Sequence, residues 1–459
     1  MNYLFPELWV LIAMVGTFLF SAFALRWPVA LALVGGALAG CIVGGEGFPL
    51  RHFVEGTLVY LDTIVLIASA MVFMRGIQAN GLLEWVAYGL AKTFRRYPAT
   101  LLVLITWFAM SAGMITGSST ATILTTGAIA APVLYRMGLS RQKTGALLAL
   151  SGLLGMVAPP VNIPAMIIGG GVDMPYIGFE LPLAVLSFPL AAVIALSIGI
   201  RSVRSIASEE LKAPEGKPSL TLFFPVLLLL ILIFAERAFP RHFPGLGLPL
   251  DFIIASLATP FCGRRINPLR VTREAINDAL PIMGILVGVG VFLEVMTMTG
   301  VRGFVVDLFG SLPEVFFWVG VAISLPLFGA VSAFGSASIL GVPFLLALLG
   351  RNEIIVASGL SLLSALGDLV PPTALAGLFA AQVVEEPRYL RVLKNCLPRA
   401  LLIDFVGIAF MVWARPFESF IFHWPTLPRV AVLLAGTIGF VLFAFLVDLL
   451  RRRRWGECG

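Results

Sequence analysis

Apolar stretches separated by short polar or basic turns run the length of the chain. Those long enough to cross a bilayer as helices, which takes roughly 17–25 residues, fall near 7–24, 28–44, 58–79, 144–171, 182–200, 219–236, 279–299, 354–384 and 428–450. Shorter candidates lie at 249–262 and 399–414. Two further runs, 98–134 and 315–350, are too long for one span, and each carries a polar knot near its middle. The first knot is Ile115-Thr-Gly-Ser-Ser-Thr-Ala-Thr-Ile123 and the second is Phe334-Gly-Ser-Ala-Ser-Ile339. Glycine permits a turn, and Ser and Thr hydroxyls recapture the backbone groups that a break inside a membrane sets free. With arms of about 18 residues, or about 27 Å if helical, each run predicts a re-entrant hairpin.

Some thirty to forty residues after each knot stands Gly-x-x-x-Pro-Pro, as Gly155 to Pro160 and again as Gly367 to Pro372. Proline removes backbone donors and leaves upstream carbonyls unpaired. The spans 144–171 and 354–384 are therefore predicted to be broken helices. Hairpin followed by broken helix, occurring twice, marks an internal duplication.

The residues are 59% hydrophobic and only 12% charged, whereas a soluble globule carries about a quarter charged residues. The chain is thus read as an all-α polytopic membrane protein. Its net charge of +6 comes from short basic clusters between apolar segments, the pattern that sets topology rather than one that binds nucleic acid. Arg26, Lys92 with Arg95 and Arg96, Arg136 to Lys143, Arg201 with Arg204, Arg264 to Arg273, Arg388 to Arg399 and Arg451 to Arg454 all reach the cytoplasm if each hairpin returns to its own side. The outer loops then hold only Arg51, Arg237, Arg241, Arg302, Arg351 and Arg415. This predicts about eleven spans and two hairpins, N-terminus out and C-terminus in.

On this count the first half starts outside and the second inside, so the repeats are inverted. Residues 1–200 form the first repeat, 201–218 a polar cytoplasmic linker, 219–427 the second repeat, and 428–459 an extra span with a basic tail. Residues 82–94 are expected to form a short amphipathic helix along the interface, with Leu82, Leu83, Val86 and Leu90 on one face. Gly81 matches Gly300, and Arg75 matches Glu294. The N-terminus has no basic region or cleavage site before its apolar run, so that run is expected to remain as a span.

Inverted repeats with helices broken at matching places are the signature of secondary transporters, whose site lies near the midplane between the repeats. The candidate substrate residues are Ser118, Ser119, Thr120, Asn162, Ser336 and Thr373. Freed carbonyls and hydroxyls suit a small hard cation, and the candidate sodium ligands are Gly117, Ser118, Pro159, Gly335, Ser336, Ser338 and Asp368. Asp368 puts a carboxylate at the second break itself. Ionisable residues inside apolar segments are functional candidates by default. Asp62, Arg75, Asp404 and Asp448 nevertheless lie near segment ends, where they are expected to snorkel or pair.

Enzyme chemistry finds little support. His52, His242 and His423 all fall in expected loops, Cys41, Cys262, Cys396 and Cys458 are scattered, and no metalloprotease, nucleophile-elbow or phosphate-loop motif is present. No catalytic residue and no organic cofactor are expected. A passive channel should show repeated pore-lining polar faces rather than two isolated knots.

Thr116-Gly-Ser-Ser-Thr-Ala-Thr through Ile129-Ala-Ala-Pro132, then a basic loop and Gly155-x-x-x-Pro-Pro160, resembles the large membrane subunit of TRAP transporters, within the superfamily of sodium-coupled carboxylate carriers. The second half departs in having Val370 before its Pro-Pro and Thr373 after it, and in the first half Val161-Asn162 stands where a Ser is common. The resemblance implies an elevator in which a hairpin-bearing body slides against a scaffold, with Na+ at the hairpin tips and an organic anion between them. It also implies a small four-span membrane subunit and a secreted substrate-binding protein. The expectation is sodium-coupled uptake of a carboxylate across the bacterial cytoplasmic membrane. A free-standing sodium- or proton-coupled di/tricarboxylate carrier of the same superfamily is the alternative.

Overall fold

A computed structural model describes residues 6–207, 211–214, 219–238, 245–371, 373–422, 436 and 438–449. Every extended element among them is helical. The first half runs α1 (Pro6–Phe23), α2 (Val29–Gly44), α3 (Leu50–Leu58), α4 (Leu61–Ala79) and α5 (Leu82–Phe94). Hairpin 1 follows as α6 (Pro98–Thr116), α7 (Ser119–Thr122), a π-helical turn (Ile123–Gly127) and α8 (Ala128–Arg136). The first broken helix is α9 (Arg141–Val157) with α10 (Ile163–Gly170), and α11 (Glu180–Gly199) closes the half.

The second half repeats this order with α12 (Phe224–Ala238), α13 (Leu248–Ala258), α14 (Pro268–Met298) and α15 (Val301–Gly310). Hairpin 2 is α16 (Glu314–Gly329), α17 (Ala333–Ser336), a π-helical turn (Ala337–Gly341) and α18 (Val342–Ala347). The second broken helix is α19 (Glu353–Ala365), a 3-10 turn (Leu366–Leu369) and α20 (Leu375–Val383), followed by α21 (Tyr389–Val412) and α22 (Ala414–Phe422). An appended helix, α23, spans Ile438–Leu449.

Among the described residues, six stretches are single helices, or nearly so, that are long and apolar enough to cross a membrane: Pro6–Phe23, Leu50–Ala79, Pro98–Thr116, Glu180–Gly199, Pro268–Met298 and Tyr389–Val412. Hydropathy placed most helix ends well but shortened two. Helix α14 starts at Pro268 instead of near 279 because Asn267 caps it, its side-chain oxygen accepting from the N–H groups of Leu269 at 3.1 Å and Arg270 at 3.3 Å. Helix α21 likewise starts at Tyr389, so Arg270, Arg273, Arg391, Lys394 and Arg399 stand on helices rather than in loops. A charged, soluble turn is as helical as the apolar turns above it, and hydropathy sees only the latter.

His52, expected in a loop, lies in α3, while His242 and His423 fall outside the described residues, as do Pro372 and Cys458. The linker is held at its start. Val203 and Ile206 are buried, Arg204 N–H donates to Met137 O at 2.8 Å, and Ile206 N–H donates to Arg95 O at 3.2 Å.

Helices α1, α2, α3, α4, α13 and α14 pack on one another as one group. A second group holds both hairpins, both broken helices, α11 and α21. Helices α5 and α15 join the two, and each is headed by a glycine in the left-handed region, Gly81 at φ 92° and Gly300 at φ 75°. Within the second group the halves interlock: α10 packs on the π turn of hairpin 2, and α20 packs on the π turn of hairpin 1. Each hairpin's returning arm thus rests on the other half's broken helix.

Candidate functional site

Hairpin 1 turns at Gly117. Its φ of 62° is one that an L side chain resists, and its N–H closes α6 on Gly113 O at 2.7 Å. Ser118 is extended and caps the returning arm, accepting from Ala121 N–H at 3.2 Å. Thr122 Oγ1 donates to Ser118 O at 2.8 Å, and Thr126 Oγ1 reaches back to Ala109 O at 2.7 Å. These hydroxyls therefore bond back to carbonyls within the hairpin's own arms, and Ser118 O also accepts from Thr122 N–H at 3.1 Å, so the expected recapture of freed carbonyls is not what they do.

Hairpin 2 is built the same way but in a different register from the one expected. Its returning arm starts at Ala333, capped by Ser332, whose hydroxyl accepts from Gly335 N–H at 3.1 Å. Gly335 and Ser336 thus lie inside the arm, not at the break. Ser336 Oγ donates to Leu325 O at 2.7 Å, and Ser338 Oγ is buried without a partner. The true equivalence pairs Ser118 with Ser332, since each precedes a π turn, at Ile123 and Ala337, by the same interval. Ser332 went unread because the Gly-Ser pairs looked alike.

Each broken helix is held against its own hairpin by glycine-on-glycine contact. A Cβ built on Gly155 would lie 2.6 Å from Met110 O, and one on Gly113 would lie 2.7 Å from Gly155 C. In the second half a Cβ on Gly367 would lie 2.1 Å from Gly329 C. Such approach is possible only without side chains. Polar ties follow the same plan. Val161 N–H donates to Met114 O at 3.1 Å, and Thr373 Oγ1 donates to Ala330 O. Thr373 is thereby committed to the carbonyl end of α16.

Among the described residues, two buried side-chain-to-side-chain bonds cross between the halves. Ser119 Oγ donates to Asp368 Oδ2, joining the tip of hairpin 1 to the second break. Asn162 caps α10, accepting from Ala165 N–H at 2.9 Å, while its amide donates to Val157 O at 3.0 Å and to Ser361 Oγ at 2.9 Å. Asn162 is wholly buried, and both of its N–H donors are used inside the protein. Ser118, Ser119 and Asp368 are 8, 3 and 6% exposed, so the site is closed. Thr120 and Pro159 are half-buried at its rim. Ser364 Oγ on α19, like Ser338 Oγ, is a buried acceptor without a partner. A cavity of about 520 Å³ lined by Glu7, Trp9, Glu46 and Thr299 includes none of these residues.

Among the other ionisable residues, Arg75 Nη2 pairs with Asp278 Oδ2 at 2.9 Å, Asp62 is exposed, and one oxygen of Asp404 is buried without a partner. Asp251, which sequence reading passed over, sits buried in α13 with neither oxygen bonded. Its place in an apolar segment was the available signal.

Two hairpins and two broken helices closing on a buried polar site define a multi-pass membrane transporter. The family model described as "Tripartite ATP-independent periplasmic transporter, DctM component" matches residues 16–414, and the chain belongs to that family. It is a transporter component and not an enzyme. Among solved structures, the YdaH transporter of Alcanivorax borkumensis, described as having an unusual topology, is similar at TM-score 0.58 and 16% identity, over 89% of this chain and 98% of that one. At that identity the likeness shows a shared fold. No curated protein matches.

Proposed function

We propose that this chain performs sodium-coupled uptake of an organic anion, a carboxylate, as the membrane component of a three-part system in the bacterial cytoplasmic membrane. A small four-span subunit and a secreted binding protein are its partners. The observation that carries this reading is the convergence at Ser119 and Asp368. Two helix breaks from opposite halves meet there in an otherwise apolar interior, through a hydroxyl and a carboxylate. Asp368, Ser118 and Ser338, with the carbonyls around Gly117 and Pro159, supply hard oxygen ligands of the kind sodium takes, whereas Gly335 and Ser336, inside the returning arm, are not among them. The returning arms at Ser119 and Ala333 present helix N-termini, whose dipoles favour a carboxylate. Ser118, Ser119 and Thr120 face the anion from hairpin 1.

The group holding both hairpins is the moving body of an elevator, and the group around α14 is its scaffold. The halves are inverted repeats, with the N-terminus outside and the C-terminus inside. Consistent with that placement, the start of α6 and the end of α23 lie together, as the contact of Ala99 and Thr100 with Asp448 requires.

The test is uptake of radiolabelled mono- and dicarboxylates into liposomes holding this chain with its small subunit, with the binding protein added outside. Accumulation should follow an imposed sodium gradient uphill and cease without the binding protein. Uptake by this chain alone would make it a free-standing carrier, and uptake driven by a proton gradient in sodium-free buffer would overturn sodium coupling.

A further inference from the structure

Helix α6 begins with Pro98, which fits a first helical position, but Tyr97 at its cap position offers no side-chain cap. The first N–H groups of a helix have no intrahelical acceptor, and in a membrane protein such groups must find one. Here the acceptor comes from the far end of the chain. Asp448 Oδ1 accepts from Ala99 N–H at 2.9 Å, and Oδ2 accepts from Thr100 N–H at 3.0 Å and Thr100 Oγ1 at 3.1 Å. The carboxylate is 2% exposed. Around it, Ala444 is fully buried against Ala99, Val103, Ala192 and Leu196 of α6 and α11, and the rings of Tyr97 and Phe445 lie 4.7 Å apart. The family's match ends at residue 414, so α23 lies outside it.

We propose that Asp448 is a positioning residue for hairpin 1: α23 is a strap that caps the base of α6 and thereby fixes the helix whose other end carries Gly117 and Ser118. A capped 19-residue helix passes the position of its base to its tip as a rigid rod. A frayed first turn lets the tip wander. Because α6 and α11 belong to the hairpin-bearing group, α23 travels with that group, and no other subunit can dock where it sits. The consequence for transport rests on the sodium-coupled reading above, whereas the cap itself does not.

The experiment uses the full-length chain in nanodiscs and has two readouts. By amide exchange, Asp448→Ala should make the N–H groups of residues 99 and 100 exchange about five- to tenfold faster, the usual scale of a lost N-cap. Asp448→Asn, which keeps one acceptor oxygen, should raise exchange less. In liposomes with the partner proteins, Asp448→Ala should raise the half-saturating sodium concentration severalfold with a smaller change in maximal rate. Tyr97→Asp, which supplies a local cap, should reverse both effects when combined with Asp448→Ala. Unchanged exchange in Asp448→Ala, or a double variant that restores neither readout, overturns the proposal. Faster exchange in Asp448→Ala, reversed by Tyr97→Asp, alongside wild-type uptake that ignores sodium supports the cap and counts against the transport reading instead.

Discussion

Gly367→Ala is the sharpest test of how the second break is held. The new methyl would lie 2.1, 2.3 and 2.4 Å from Gly329 C, Cα and O. All three are backbone atoms of α16, so no side chain can swing away. To reach ordinary contact near 3.4 Å, α16 and the 3-10 turn must part by about 1.3 Å. Overpacking of that kind costs about 1–3 kcal/mol, and the displacement falls one residue before Asp368. A hydrogen bond lengthened by more than an ångström is no longer a bond, so the tie from Ser119 should break. The expected result is a destabilised protein whose half-saturating sodium concentration rises at least tenfold. The assay is sodium-dependent uptake in liposomes alongside thermal unfolding at a series of sodium concentrations. Gly303→Ala on α15, whose methyl would meet nothing within 4 Å, is the control and should behave as wild type. If Gly367→Ala transports with wild-type sodium dependence, the contact between Gly329 and Gly367 does not set the position of Asp368, and the reasoning fails.

Asp368→Asn removes a charge while leaving an acceptor for Ser119, and a charged ligand's bond is worth about 1.5–3 kcal/mol. Half-saturating sodium should therefore rise roughly 10- to 150-fold with little change in the pH profile of uptake. A variant that instead keeps its sodium response and loses its proton response would reassign the coupling ion. Asn162→Ala takes the side-chain partner from Val157 O and Ala165 N–H in a buried place, at about 1–3 kcal/mol per group, while Ser361 Oγ keeps its bond to Ser358 O. It should lower the thermal midpoint before it alters substrate affinity; normal stability with weakened substrate binding would make Asn162 a direct ligand. Single cysteines near Gly47, Asp173 and Pro313 should react with an impermeant external reagent, and ones near Lys92 and Arg391 should not. Labelling at Pro313 only from the cytoplasmic side would remove the inverted repeat.

The spans were legible because a bilayer fixes how long an apolar run must be, and both hairpins because Gly-Ser clusters recur at matching places in two runs too long for one span. The same clusters put Ser118 and Ser119 at the first break, and Gly367 and Pro371 put Asp368 at the second, but the bond between Ser119 and Asp368 was not legible. The register of hairpin 2 was not, since Gly335-Ser336 mimics Gly117-Ser118 in letters while the cap that defines the turn is Ser332. Asn162 looked free for substrate because the partner that takes its amide, Ser361, lies 199 residues away. A single sequence carries no signal for a contact across that distance. The burial of both Asp251 oxygens likewise follows from the packing of α13, not from its composition.

On the elevator reading proposed above, the glycines that head α5 and α15 would make these helices its connecting rods. At 1.5 Å per residue, the 13 residues of α5 and the 10 residues of α15 make rods of about 20 and 15 Å. A rod that swings through about 60° moves its far end by about its own length. On the elevator reading, a swing of that size would carry the hairpin group about 15 Å at the shorter rod. Rods of unequal length also cannot carry a body in a straight line. A stroke carried on both rods would therefore tilt it, with the α5 side sweeping the wider arc. The two bearings differ as well, because Arg264 lies 3.3 Å from the position of a Cβ on Gly81, whereas the nearest atom at Gly300 is Glu7 Cγ at 3.7 Å. The more crowded joint therefore sits at the head of the longer rod.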